Sequence, residues 1–162
     1  MSVASILSHA DIFDEFTSIQ LELVSSICDE RHYQAGDVIF EENTVGNEMY
    51  VIASGEVDIQ VDPALIGNKS DGSFTIATFR RGQVFGEVAL VDEGLRSASA
   101  HCSQNDTHLV VIPRERLMLL CDQYSTLGYK LMRNLAADLA MKIRHTDLQV
   151  REQLTWSQNK DD

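Results

Sequence analysis

The chain has 162 residues, with 13 Lys and Arg against 25 Asp and Glu, for a formal net charge of −12 at neutral pH. An apolar share of 44% beside 23% charged residues is a globular composition and not a disordered one, and the length suits one domain. Apolar runs of only a few residues exclude a membrane-spanning helix, and the acidic balance argues against nucleic-acid binding, which needs clustered Lys and Arg.

In chain order, the stretch from about 5 to 30 reads as helical. Ile12, Phe13 and Phe16 lead into Ile19, Leu21, Leu23, Val24 and Ile27, with Ser18 in the place of an N-cap. Asp11, Asp14 and Glu15 fall where the apolar core of a signal peptide would continue, so none is expected. From Arg31 to Pro113 the period changes. Glu56-Val57-Asp58-Ile59-Gln60-Val61 alternates polar and apolar residues, the pattern of a half-buried strand, and 74–79, 97–102 and 107–112 behave similarly. Ala35-Gly36-Asp37, Ser54-Gly55 and Arg81-Gly82-Gln83 punctuate these runs as turns, and 62–72 reads as a long hairpin loop. Arg80-Arg81 reads as solvated turn charge. Many short strands at this spacing predict a closed or sandwiched antiparallel β structure.

After Pro113 the helical period returns. A short helix over 114–123 carries Leu117, Leu119, Leu120 and Cys121, and a longer one runs from about 125 into the early 150s. Ala136, Ala140, Ile143, Asp147, Val150 and Leu154 follow four- and three-residue steps, the heptad spacing of a coiled-coil seam. Thirty residues at 1.5 Å each would reach about 45 Å, more than a domain of this size covers. The spacing therefore predicts a homodimer through the C-terminal helix, against a helix packed only on its own β core. Residues 159–162 are expected to be a disordered tail.

Cys28, Cys102 and Cys121 are odd in number and widely spaced, so neither a disulfide framework nor a CxxC pair forms and a cytoplasmic location is expected. His101, Cys102 and His108 lie on neighbouring strand segments, but His101 and Cys102 point to opposite faces, so no metal site is expected. With no nucleophile elbow and no GxxxxGK[ST] loop, the chain is not expected to be an enzyme.

The chemistry concentrates in Phe85-Gly86-Glu87-Val88-Ala89-Leu90-Val91-Asp92-Glu93-Gly94-Leu95-Arg96-Ser97-Ala98-Ser99. Phe85 and Gly86 end a strand, a short helical turn follows, a loop runs through Gly94, and Arg96 opens the next strand. Backbone N–H groups at the start of such a turn point outward and suit an anion. Arg96 can fork onto two phosphate oxygens. Glu87 suits a hydroxyl or vicinal diol, and Gly86 leaves room for a ligand to approach the backbone.

This segment resembles the phosphate-binding cassette of the cyclic nucleotide-binding domain family, whose pattern is roughly F-G-E-x-A-L, a short loop, then P-R-[AST]-A-[TS]. The resemblance spans nearly the whole chain, with Gly36, Gly55 and Gly82 in the family's order. It implies a mainly β fold with flanking helices, an eight-stranded antiparallel β-roll of jelly-roll type. That roll would occupy about 31–113 and the C-terminal helices about 114–154 of a single domain over 1–162. It implies a ligand-binding set of Phe85, Gly86, Glu87, Val88, Ala89, Arg96 and Ser97. Glu87 would accept from a ribose 2′-hydroxyl and Arg96 would pair with the cyclic phosphate. The N–H groups near Val88 and Ala89 and the Ser97 hydroxyl would add contacts.

The implied ligand is cAMP or cGMP, with no cofactor and no metal. The implied signal is a movement of the C-terminal helices toward an unidentified downstream protein. Leu95 stands where the family has proline, which leaves the backbone before Arg96 less fixed. Trp156 reads either as a lid over the purine or as an exposed tail residue. Nothing after Leu154 could form a helix-turn-helix, so no direct nucleic-acid contact is expected. The alternative is a β-roll interaction or scaffold module that does not respond to nucleotide.

Overall fold

The computed structural model of the chain describes residues 1–66 and 72–160. Two helices, α1 (Val3–Leu7) and α2 (Ser18–Ser25), lead into eight strands. These are β1 (Asp29–Tyr33), β2 (Val38–Phe40), β3 (Glu48–Ser54), β4 (Glu56–Val61), β5 (Phe74–Arg80), β6 (Val84–Phe85), β7 (Ser99–Cys102) and β8 (Thr107–Pro113). Two helices close the chain, α3 (Arg114–Gln123) and α4 (Ser125–Gln158). The strands pair antiparallel in two four-stranded sheets, ordered β1-β8-β3-β6 and β2-β7-β4-β5. This is the expected β-roll with flanking helices.

The pairing of β3 with β8, Tyr50 opposite Val111 and Val51 opposite Val110, separates two cores. Met49, Val51, Val110 and Ile112 face the helices, where Leu7, Phe13, Val24, Leu117, Leu127, Leu131 and Leu135 meet them. Tyr50, Ile52, Leu109 and Val111 face into the roll, against Val57, Phe85 and Ala100. Strands covered on both faces read as continuous apolar runs. β4 has only one strongly buried face and keeps its alternation.

The helical reading of 5–30 needs correction. That stretch divides into the end of α1, a 3₁₀ turn over Asp11–Phe13, and α2, while Asp29 and Glu30 begin β1. The cap of α2 is Thr17, not Ser18. Thr17 Oγ1 accepts from the Gln20 N–H at 3.2 Å and Gln20 Oε1 accepts from the Thr17 N–H at 3.0 Å, a reciprocal capping box. The strand expected from 97 begins at Ser99. The hairpin loop expected over 62–72 opens with a 3₁₀ turn, Pro63–Ile66, and its residues 67–71 lie outside the described residues, as do 161–162 of the expected tail.

α3 and α4 meet at Tyr124, whose φ of −121° and ψ of 85° break the helical path. α4 then runs for 34 residues, about 51 Å at 1.5 Å per residue. Its first turns are fixed by the buried Leu127, Leu131 and Leu135. Polar contacts reinforce them: Lys130 Nζ donates to the Glu15 carbonyl at 2.8 Å, and Asn134 Nδ2 donates to those of Ile12 and Asp14 at 3.0 and 2.9 Å. Lys142 is the last residue of α4 that is not exposed.

Leu131, fully buried where α4 meets the helical core, is the simplest test of that docking. Leu131→Ala should lower unfolding free energy by about 2–5 kcal/mol, the range for a buried Leu truncated to Ala. Urea denaturation followed by circular dichroism measures it, and a change within 0.5 kcal/mol, roughly the surface range, would mean that α4 is not packed as described.

Candidate functional site

β6 delivers Phe85 into the roll, its ring stacked on Tyr50 with centroids 4.9 Å apart and planes 10° from parallel. Gly86 then turns the chain with φ of 75°, a left-handed conformation that glycine adopts without steric cost. A 3₁₀ turn, Glu87–Leu90, follows, with Glu87 buried at 5% exposure and Val88 half exposed. The Ala89 N–H donates to the Gly86 carbonyl at 3.2 Å. The Ala89 N–H is thus engaged within the turn, while the N–H groups of Glu87 and Val88 precede that first internal bond.

Arg96 lies three residues before β7 and not within it. Its backbone is nonetheless pinned: its N–H donates to the Thr44 carbonyl and its carbonyl accepts from the Asn43 N–H, both at 2.8 Å, beside a bridge between Val45 and Leu95. Leucine in place of proline thus does not leave this backbone loose.

Arg96 is 9% exposed. Its Cζ sits 4.1 Å from the centre of the Phe40 ring and 5.9 Å from that of Tyr50, a cation–π arrangement. Nη2 donates to the Glu48 carbonyl at 2.8 Å and Nη1 to that of Gly86 at 3.4 Å. Nε is buried with no partner among the described residues. The guanidinium fits only because residue 46 is glycine, since a Cβ there would lie 2.5 Å from Cζ. Burial pushes Arg96 below the ordinary arginine value, with Tyr50, Glu48 and Glu87 acting the other way. It stays a cation all the same.

A second layer stands behind it. Arg31 forks onto the Glu48 carboxylate at 2.9 and 3.1 Å, and the Tyr50 hydroxyl donates to the same group at 2.8 Å. Burial alone would raise Glu48, but hydrogen bonds from Arg31 and Tyr50 and the charges of Arg31 and Arg96 hold it below its ordinary value.

Phe85, Gly86, Glu87, Val88, Ala89, Arg96 and Ser97 all line one cavity of about 300 Å³, at the lower end of the range for small-molecule sites. Phe40, Ile59 and Phe79 of the β2-β7-β4-β5 sheet and the loop residues Gly46, Asp92, Gly94, Leu95 and Ala98 complete its walls, and Lys142 reaches it from α4. Sequence reasoning missed Phe40, Gly46, Tyr50 and Lys142. The Lys142 ammonium pairs with Glu87 Oε1 and, at 3.2 Å, with Asp138 one turn earlier. Burial lowers Lys142, but the opposing pull of Glu87 and Asp138 leaves it above its ordinary value.

Other candidates fall away from this cavity. Trp156 is 70% exposed and lies fourteen residues past Lys142, about 21 Å along the axis, so it does not cover the cavity. Arg80 is paired with Glu56 at 2.9 Å. His101 lines a second cavity with Glu41, Glu42 and Asp62, a lining that repels anions. His108 faces Glu30 at 2.9 Å and stacks on His32. No cluster of three or more His, Cys, Asp or Glu suited to a metal occurs among the described residues.

Comparison with known proteins gives the following matches. A family model described as the cyclic nucleotide-binding domain matches residues 30–124. The cyclic AMP receptor protein of Thermus thermophilus is 32% identical over 144 residues, which is 89% of this chain and 62% of that protein. Human cGMP-dependent protein kinase 2 is 34% identical over 84 residues, 52% of this chain and 10% of the kinase. The crystal structure of Thermus thermophilus catabolite activator protein superposes with a TM-score of 0.74 at 31% identity, covering 88% of this chain and 62% of that one. A cyclic nucleotide-binding domain from Methylobacillus flagellatus superposes at 0.78 with 23% identity over 94% of this chain and 82% of that one, a likeness of fold alone. The chain thus spans less than two thirds of the length of these curated relatives.

The layer behind Arg96 carries a pH signature. A carboxylate held below its unfolded value contributes stability above that value and loses it as pH falls through the folded one. Glu48→Gln should therefore be less stable than wild type by about 1 kcal/mol at pH 7. The gap should close as pH drops below the ordinary value of 4.5. Denaturation midpoints at pH 7, 5 and 3.5 measure it, and a gap that does not change with pH would refute the assignment.

Proposed function

Because the chain belongs to the cyclic nucleotide-binding domain family, we propose that its cavity takes a 3′,5′-cyclic nucleotide, cAMP first and cGMP second. The module would be a non-enzymatic receptor, resident in the cytoplasm and acting through a downstream protein. The observation that carries this reading is the Arg96 guanidinium, a buried cation with an unpaired Nε, on a residue that lines the same cavity as Glu87. Buried donors without acceptors are costly and point to a missing partner. A cyclic phosphodiester carries one negative charge and two free oxygens, which matches one guanidinium. Its ribose hydroxyl matches the carboxylate. The relatives' own names point to both purines, and the longer match, to the cyclic AMP receptor protein, puts cAMP first.

Signalling would proceed by repacking of α3 and α4. Three contacts support a path from the cassette to these helices. Leu90, at the end of the cassette turn, belongs to the helical core with Leu117 and Leu127. Arg114, the first residue of α3, donates from Nε to the Leu90 carbonyl at 3.1 Å and pairs with Glu93 at 2.5 Å. Lys142 of α4 holds Glu87. A ligand that favours one helix position must bind more tightly in that position, and the coupling is reciprocal.

The module would act as a homodimer through α4. Ile143, Val150 and Leu154, on the heptad stripe, are 62%, 49% and 59% exposed. A second copy of the same helix supplies the matching seam.

Calorimetric titration with cAMP and cGMP tests the ligand, and binding of neither returns the scaffold reading. Arg96→Ala should lose about 2–4 kcal/mol of binding, the range for removing one partner of a desolvated charge pair. Gly46→Val, which keeps Arg96 but displaces its guanidinium, should lose a comparable amount, and full affinity in both variants would mean that the site is misassigned. For assembly, light scattering should give the mass of a dimer, and a monomer at every concentration, with and without nucleotide, would refute it.

A further inference from the structure

The contact between α4 and the cassette goes beyond a lid. Lys142 pairs with Oε1 of Glu87 and is itself steadied by Asp138 at 3.2 Å, one turn back on the same helix face. No donor among the described residues reaches the other carboxylate oxygen, Oε2. The Lys142 ammonium also lies 5.6 Å from the centre of the Phe79 ring, another wall of the cavity. A carboxylate at 5% exposure is costly to bury without a partner, and Lys142 is the cation that compensates it.

We infer that Lys142 is a positioning residue of the ligand site, a lysine that holds Glu87 by one oxygen and leaves the other for the ligand's hydroxyl. The inference rests on the cyclic-nucleotide reading above and adds a charge requirement to it. Arg96 and Lys142 balance the carboxylates of Glu87 and Asp92, which also lines the cavity, so a monoanion enters without net repulsion. Without Lys142 the lining keeps one cation against the two carboxylates of Glu87 and Asp92, and the anion enters against a net negative charge. The carboxylate also loses the contact that fixes its rotamer, so recognition of the hydroxyl weakens together with affinity for the phosphate. Because Lys142 is the last residue of α4 that is not exposed, the site is complete only while α4 lies against the roll to this point.

The test compares wild type, Lys142→Met and Lys142→Arg in titrations with cAMP and 2′-deoxy-cAMP, or with cGMP and its 2′-deoxy form if that purine binds better. Methionine keeps the apolar stem and removes the charge, and thermal melts check that each variant is folded. Lys142→Met should weaken binding of the ribonucleotide about tenfold, the effect of losing a charge-assisted contact. It should also narrow the preference for the nucleotide that carries the 2′-hydroxyl, and Lys142→Arg should restore most of both. Tighter binding in Lys142→Met would overturn the inference, since the lysine would then compete with the ligand. Unchanged affinity would overturn it too, as would an equal loss for both nucleotides with the 2′-hydroxyl preference intact. Those outcomes leave the proposed function standing, whereas a wild type that binds no cyclic nucleotide removes both.

Discussion

The burial of a single guanidinium organises this protein. Taking an arginine out of water costs several kcal/mol even after relaxation, and Arg96 recovers only part of that from two carbonyls and the face of Phe40. The arrangement in turn dictates its neighbours. Residue 46 must lack a side chain because the guanidinium occupies its Cβ position, and residue 86 must both turn left-handed and stay small. Tyr50 and Phe85 supply a stacked aromatic floor, and Arg31 and Tyr50 fix the carboxylate of Glu48, whose carbonyl receives Nη2. Several local choices thus serve a cation whose Nε meets no acceptor among the described residues.

The cassette is also the place where the two cores meet. Phe85 belongs to the core inside the roll and Leu90, five residues later, to the core under the helices. Close-packed interiors transmit a shift instead of absorbing it. Under the proposed function, a ligand that pulls the turn toward Arg96 would therefore also move Leu90 against α3 and α4. Arg114 adds a polar tie at the start of α3, and Lys142 adds one at the far side of the cavity.

How much of this was readable in advance depended on the range of each interaction. β4 was legible because alternation is a local consequence of covering one face. β1, Asp-Glu-Arg-His-Tyr, was not, since it is a sheet edge with four exposed residues and carries almost no apolar pattern. The cap of α2 was misplaced by one residue because Thr17 and Ser18 are both capping types, and only the reciprocal bond with Gln20 separates them. The cassette residues lie within thirteen positions and declared themselves as a string. Phe40 lies in a three-residue strand without a marking pattern, and Gly46 makes space for a side chain fifty residues away, which no local signal shows. Lys142 is 55 residues from its partner Glu87, and no local pattern marks such a contact.

Beyond Lys142, the sixteen residues from 143 to 158 continue as helix with every side chain exposed. They form a rigid arm of about 24 Å, mounted where the helix leaves the cavity. A tilt of about 10° at that mount would sweep residue 158 through about 4 Å, a displacement comparable to the helix shifts known to switch protein interfaces. Under the proposed function the length of the helix would act as a mechanical amplifier, and a partner gripping its far end would read a magnified copy of a small adjustment made at the sugar.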